Sequence, residues 1–191
     1  GSGKTEVYMD LIDYTIKKGK SVIVLIPEIA LTYQTVMRFT RRFKEKVSII
    51  NSRLSSGERY DQFERAKNGD VTIMIGPRSA LFTPFSNLGL IVIDEEHESA
   101  YKSESVPKYH AIEVAQKRAY DTGATVVLGS ATPSLESYYK AKNGTYILHK
   151  LTTREKGNLP SVSIVDLREE LQQGNKSIFS NKLQTLINDR L

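Results

Sequence analysis

The sequence predicts an α/β fold: a mostly parallel sheet covered by helices on both faces. Three observations predict it. Five short runs are apolar and rich in β-branched residues: Ser21–Ile26, Val47–Ile50, Val71–Ile75, Leu90–Ile93 and Thr125–Leu128. Runs of that length suit strands buried on both faces. Helical patterns lie between several of them, which implies right-handed crossovers. Carboxylates or small hydroxyl residues follow two of the runs, at the strand ends where open α/β sheets bind their ligands.

The elements follow in order. Thr5–Lys18 reads as a helix that stops near Gly19. Ile29–Glu45 carries Tyr33, Val36, Met37, Thr40 and Phe43 at helical spacing. Ser55–Lys67 begins with Ser55 and Glu58 placed as a capping box and ends near Asn68-Gly69. Tyr109–Asp121 ends at Gly123, and Ser134–Lys142 ends near Asn143-Gly144. After Lys150 the character changes. Thr152–Pro160 is polar, with Gly157 and Pro160, and reads as a linker. Val162–Leu167 is expected as one more strand and Phe179–Leu191 as a terminal helix. The domain reading is one nucleotide-binding unit over 1–150, with 151–191 a linker and the start of a connection onward.

Composition narrows the class. With 191 residues, 39% of them hydrophobic, one domain with a substantial core is expected. No apolar run approaches the roughly 20 residues of a membrane span, so no membrane partner is expected. There are no cysteines, which excludes disulfides and thiolate metal sites and agrees with a reducing, cytoplasmic setting. The net charge of +5 suits a phosphate-rich partner. Arg38, Arg41, Arg42, Lys44 and Lys46 crowd one segment, read first as a solvated helix face.

Two motifs carry chemistry. Leu90-Ile91-Val92-Ile93 ends abruptly in Asp94-Glu95-Glu96-His97. Three carboxylates at a buried strand end are costly unless a cation meets them. Asp94 is the candidate for a magnesium shell, and Glu95 for orienting or deprotonating an attacking water. The chain opens with Gly1-Ser2-Gly3-Lys4-Thr5, the last part of a phosphate-binding loop. Its backbone N–H groups, at a helix start, would cradle phosphate oxygens. Lys4 would reach the β/γ-phosphates and the Thr5 hydroxyl would ligate Mg²⁺. Such a loop normally follows a buried strand. The expectation is therefore a fragment, with Gly1–Gly3 weakly anchored and the sheet lacking that strand or borrowing a substitute. A further turn, Gly129-Ser130-Ala131-Thr132-Pro133-Ser134, follows Thr125–Leu128 and reads as a lead-in to a helix cap. Its hydroxyls could bond the neighbouring carboxylates and report whether nucleotide is present.

GSGKT, DEEH and SAT, in this order, resemble motifs I, II and III of superfamily 2 helicases. More narrowly, IPEIALT (Ile26–Thr32), GPRSALFTPFSNLGLIVIDEEH (Gly76–His97), KYH (Lys108–His110) and VVLGSATPSLES (Val126–Ser137) resemble the family of primosomal N′ replication-restart helicases. The resemblance implies a RecA-like P-loop NTPase lobe, the first of two. It also implies an ATP- and Mg²⁺-dependent 3′→5′ DNA helicase, acting on forked or single-stranded DNA with primosome and helicase-loading partners. By resemblance, His97, Ser130 and Thr132 couple the nucleotide to DNA. Pro27, Glu28 and Thr32 fall in motif Ia, and Arg78 and Ser79 in motif Ib, lining the DNA path. Tyr101, Lys102 and Tyr109 fall in an aromatic-rich loop that meets DNA by stacking and phosphate pairing. The family's zinc site and second-lobe arginine finger have no counterpart in this chain, so negligible hydrolysis by the isolated chain is expected. The alternatives are another superfamily 2 translocase, or a non-catalytic module that binds DNA or a partner.

Overall fold

The computed structural model describes residues 3–152 and 161–190. Gly1, Ser2 and most of the expected linker lie outside the described residues. The chain folds as two compact units, Gly1–Glu155 and Lys156–Leu191.

The first unit holds five parallel strands: β1 (Ser21–Leu25), β2 (Val47–Ile49), β3 (Ile73–Gly76), β4 (Leu88–Asp94) and β5 (Thr125–Gly129). Their order in the sheet is β2-β3-β1-β4-β5, with parallel pairing throughout. In register, Leu25 stands beside Gly76 on one side and Ile93 on the other, and Asp94 stands beside Gly129. The strand ends that carry the motifs thus meet at one rim of the sheet.

Alternation along the strands feeds two cores. Val22, Val24, Ile73, Ile75, Leu90 and Val92 face α1 (Lys4–Lys17) and α2 (Tyr33–Phe43), where Tyr8, Met9, Ile12, Phe39 and Phe43 close over them. Ile23, Leu25, Met74, Ile91 and Ile93 face the opposite side. There they join Ala66 of α3 (Ser56–Asn68) and Ala111, Ile112 and Ala115 of α4 (Ala111–Thr122). α5 (Leu135–Lys142) follows β5. Among the described residues β5 is an edge strand, and Val126, Val127 and Leu128 are only half-buried.

The caps set the helix bounds. Ser55 and Glu58 form the expected capping box on α3, and Gly69 ends that helix in the left-handed region at φ 83°. The expected helix over Ile29–Glu45 is shorter. Glu28–Ala30 is a 3₁₀ turn, and Thr32 then caps α2 by accepting the Thr35 N–H at 3.3 Å. The delayed start turns Tyr33 outward, 77% exposed, and makes Phe39 the buried anchor. Nor is the basic segment simply solvated. Arg38 pairs with Glu6, and Arg42 with Asp10, each at 2.6 Å, so two of its charges tie α2 to α1.

In the second unit, Val162–Leu167 is not a strand. Asp166 instead accepts the Arg168 N–H at 2.9 Å and caps α6 (Leu167–Gln172). α7 (Asn181–Asn188) is capped by Ser180, and Glu170 accepts the Asn181 N–H at 2.9 Å, closing one helix onto the other.

Candidate functional site

α1 begins at Gly3, whose φ of 78° is open to a residue without Cβ. The Gly3 carbonyl accepts the N–H groups of Glu6 and Val7, so the turn before the helix is formed. Lys4 and Thr5 therefore stand in the first turn, where backbone N–H groups and the helix dipole favour an anion. The Lys4 ammonium lies 2.7 Å from Glu95 Oε1 and 3.7 Å from Asp94 Oδ1. Residues about ninety positions apart in the chain thus meet at one rim.

Glu95 follows β4 with φ 47°, a left-handed conformation for a residue with a side chain. Such backbone costs about 1 kcal/mol or more and collects at functional sites. Here it turns the chain sharply between Asp94, still in the strand, and Glu96 beyond it. Asp94 Oδ1 accepts the Tyr8 hydroxyl at 2.9 Å. Burial first, and the Asp94 charge second, push the Tyr8 hydroxyl's pKa far up, so it stays a neutral donor.

His97 links this cluster to the next strand end. Its Nδ1 lies 2.7 Å from Ser130 Oγ and 3.8 Å from Glu95 Oε2, and its Nε2 lies 3.5 Å from Thr132 Oγ1. The three residues expected to couple the motifs are thus in contact. Glu96, which sequence reading places among the acids in need of a cation, is only 3% exposed and faces away from Lys4 in its bonding. It accepts the Ser134 N–H, the Ser134 hydroxyl and the Ser137 hydroxyl at the start of α5. Helix-start donors meet this carboxylate in place of a metal.

The donor set suits a magnesium nucleotide: a helix N-terminus, one ammonium, one hydroxyl and a strand-end carboxylate. Among the described residues, no three His, Cys, Asp or Glu side chains are grouped to hold a metal unaided. Phosphate oxygens would complete such a shell.

A second hollow of about 390 Å³ is lined by Pro27, Glu28, Ser52, Arg59, Arg78 and Ser79, among others. The motif Ia and Ib candidates therefore share one cleft, apart from Thr32, which serves as the α2 cap. Glu28 accepts the Ser52 N–H at 2.6 Å, and these bonds from Ser52 hold its carboxyl below the usual range. Arg78 spends its guanidinium on the carbonyls of Ala100 and Lys102, at 3.2 and 2.7 Å.

One expectation is corrected. Tyr101 is fully buried, and its hydroxyl donates to the carbonyls of Leu25 and Asp94 at 3.1 and 2.6 Å. It cannot stack on a base. It braces the ends of β1 and β4 instead. Lys102 is exposed, and Tyr109 is edge-on to Phe82, with ring centroids 5.5 Å apart.

Sequence reading passes over Tyr8 and the hold of Glu96 on Ser134, the α5 cap. Tyr8 sits four residues after Lys4, on the same helix face, which is the signal that could flag it. Ser134 and Ser137, spaced as a helix cap and its third residue, are the signal that an acid elsewhere would satisfy both.

Comparison with known proteins agrees with this geometry. The DEAD/DEAH box helicase family model matches residues 1–141. The chain is 51% identical over 192 residues to the replication restart protein PriA of Bacillus subtilis, covering 100% of this chain and 24% of that protein. It is 50% identical over 196 residues to that of Synechocystis, covering 99% and 24%. The chain thus spans about a quarter of the length of these curated relatives. The solved helicase domain of Pyrococcus furiosus Hef aligns with a TM-score of 0.52 at 23% identity, over 75% of this chain and 31% of that one. At that identity the likeness shows the fold alone, a RecA-like lobe. Among the described residues, no helix is long and apolar enough to cross a membrane. With Lys4 against the strand-end acids, and with the family matched over most of its length, this chain belongs to the DEAD/DEAH box helicases.

Proposed function

We propose that this chain is the ATP-binding lobe of a 3′→5′ DNA helicase that serves replication restart and primosome assembly. The observation that carries the reading is the contact of Lys4 with Glu95 and Asp94 at the end of β4. Its identity of 51% with a replication restart protein over the whole chain supports the narrower function. Other superfamily 2 translocases are disfavoured by that same match.

On this reading the loop around Gly1, Ser2 and Gly3 cradles the phosphates, and Lys4 leaves the acids to neutralise them. Thr5 and Asp94 hold Mg²⁺, which supplies charge stabilisation when bound. Glu95 orients the attacking water and holds its proton. His97, Ser130 and Thr132 carry the state of the nucleotide toward DNA, which lies along Pro27, Glu28, Arg78 and Ser79, with Lys102 and Tyr109 beyond. An arginine from a second lobe is worth about 10³–10⁵ in rate in related nucleotidases, so the chain alone hydrolyses ATP negligibly. Zinc, helicase-loading partners and a cytoplasmic setting belong to the longer protein. A cysteine-free chain supplies no thiolate for such a zinc.

The test is ATPase activity of the full-length protein with forked and blunt DNA, and Glu95→Gln as control. Fork-stimulated turnover that vanishes in the variant is expected. Turnover indifferent to DNA would instead indicate another P-loop ATPase, and none at all a binding module.

A further inference from the structure

We infer that Tyr8 is a positioning residue for Asp94, and that Gly129 is a glycine because the Tyr8 hydroxyl needs its place. The inference rests on the nucleotide reading above. Three observations carry it. The Tyr8 hydroxyl donates to Asp94 Oδ1 at 2.9 Å, across 86 positions of sequence. The Tyr8 side chain is fixed by packing, 4% exposed within the core that α1 forms against the sheet. A Cβ built on Gly129 would overlap the Tyr8 hydroxyl and stand 2.7 Å from the ring carbon that bears it. Gly129 is buried and pairs in register with Asp94.

These facts describe one device. The helix that presents Lys4 also carries, one turn on, a rigid arm to the acid that Lys4 faces. Tyr8 and Lys4 both approach Oδ1, and among the described residues no side chain bonds Oδ2. The carboxylate is thereby held in one rotamer with its second oxygen left for a metal shell. Hydrogen bonds to a ligating carboxylate fix its orientation, and losing them costs about 10- to 100-fold in metal affinity. The alanine-sized space at position 129 is the room this arm takes up between two strand ends.

The test is Mg²⁺ titration of fluorescent ATP-analogue binding by the full-length protein, read without turnover. Tyr8→Phe keeps the ring and removes the hydroxyl. The expected result is a Mg²⁺ midpoint raised about tenfold or more, with analogue affinity in EDTA unchanged. Gly129→Ala should raise the midpoint similarly, and the double variant should be no worse than the poorer single one. A Tyr8→Phe midpoint equal to wild type overturns the role of Tyr8 while leaving the nucleotide reading intact. A wild-type protein with no Mg²⁺-dependent binding overturns both together. Should Gly129→Ala fail to fold, the isosteric Tyr8→Phe decides alone.

Discussion

Glu96 Oε1 accepts the backbone N–H of Ser134 at 2.7 Å, and the carboxylate takes both the Ser134 and Ser137 hydroxyls as well. A buried acid just past β4 therefore holds Ser134, the N-cap of a helix 38 residues further on. Glu96 N–H also donates to the Gly129 carbonyl at 3.1 Å, so the turn between β5 and α5 is gripped from both ends. Glu96→Ala leaves three donors without their acceptor. It should lower stability by about 2 kcal/mol, from typical costs of unmet buried donors. Glu96→Gln keeps one of the two acceptor oxygens and should cost about half as much. Urea unfolding followed by far-UV circular dichroism checks both, and a Glu96→Ala variant as stable as wild type would remove the latch.

Tyr101 spans two strand ends through one hydroxyl. Tyr101→Phe strands the Leu25 and Asp94 carbonyls without that donor and should cost about 1–3 kcal/mol. On the proposed reading, DNA affinity should stay within about twofold of wild type, since the ring is fully buried. Thermal unfolding and fluorescence anisotropy on single-stranded DNA separate the two effects. A large loss of affinity at unchanged stability would return Tyr101 to the DNA interface.

The contrast between Tyr101 and Asp94 shows what a sequence exposes. The strand Leu88–Asp94 is legible because burial on both faces leaves a local signature, an unbroken apolar run ending in acids. The phosphate-loop helix and the capping box at Ser55 are local too. Tyr101 is different: its partners are carbonyls 76 and 7 residues away. A backbone carbonyl carries no residue identity, so nothing in the sequence marks it as an acceptor. Glu96 is hidden for a related reason. A run of acids reads as one charged cluster, and only the sharp turn at Glu95 sends the third toward α5. Val162–Leu167 misleads because a short run with three β-branched apolar residues, Val162, Ile164 and Val165, fits a strand as easily as an unpaired lead-in to the Asp166 cap.

Alkaline pH should destabilise the fold through two tyrosines. Burial is the largest cause raising both Tyr8 and Tyr101 above the ordinary 10.0, with the Asp94 charge next. Their folded pKa values exceed the unfolded ones. Stability is therefore fully present below pH 10, where both states hold the protons, and is lost above it as only the unfolded chain ionises. Each group contributes a slope of about 1.4 kcal/mol per pH unit. Urea midpoints from pH 9 to 11 should fall, and Tyr101→Phe should flatten the fall by about half. A flat wild-type profile would contradict the burial of both hydroxyls.

Arg78 holds the segment after the acidic turn by two carbonyls, so its loss should loosen that segment before anything else. Arg78→Ala should speed amide exchange over Ser99–Ser103 by about tenfold, as expected for losing roughly one charged hydrogen bond. Exchange in β1 and β3 should not change. If Arg78 also meets phosphate, as proposed, DNA affinity should fall on all sequences alike and its salt slope should shrink by about one. Arg78→Lys distinguishes the roles. A lysine retains a charge for phosphate but lacks the fork that spans two carbonyls, so it should restore DNA affinity at low salt while leaving exchange fast.

His97 stands between Glu95 and the hydroxyls of Ser130 and Thr132, so its imidazole links the end of β4 to the end of β5. On the proposed function, severing that contact should uncouple turnover from DNA without abolishing nucleotide binding. His97→Ala and Ser130→Ala should each lower DNA-stimulated ATPase in the full-length protein by about tenfold, the equivalent of about 1.4 kcal/mol in the barrier. Analogue affinity should stay within about twofold. Because both variants remove the same 2.7 Å contact, the double variant should be close to the worse single one rather than their product. Multiplicative losses would mean that the two side chains act on separate steps, and that the imidazole serves Glu95 rather than the neighbouring strand.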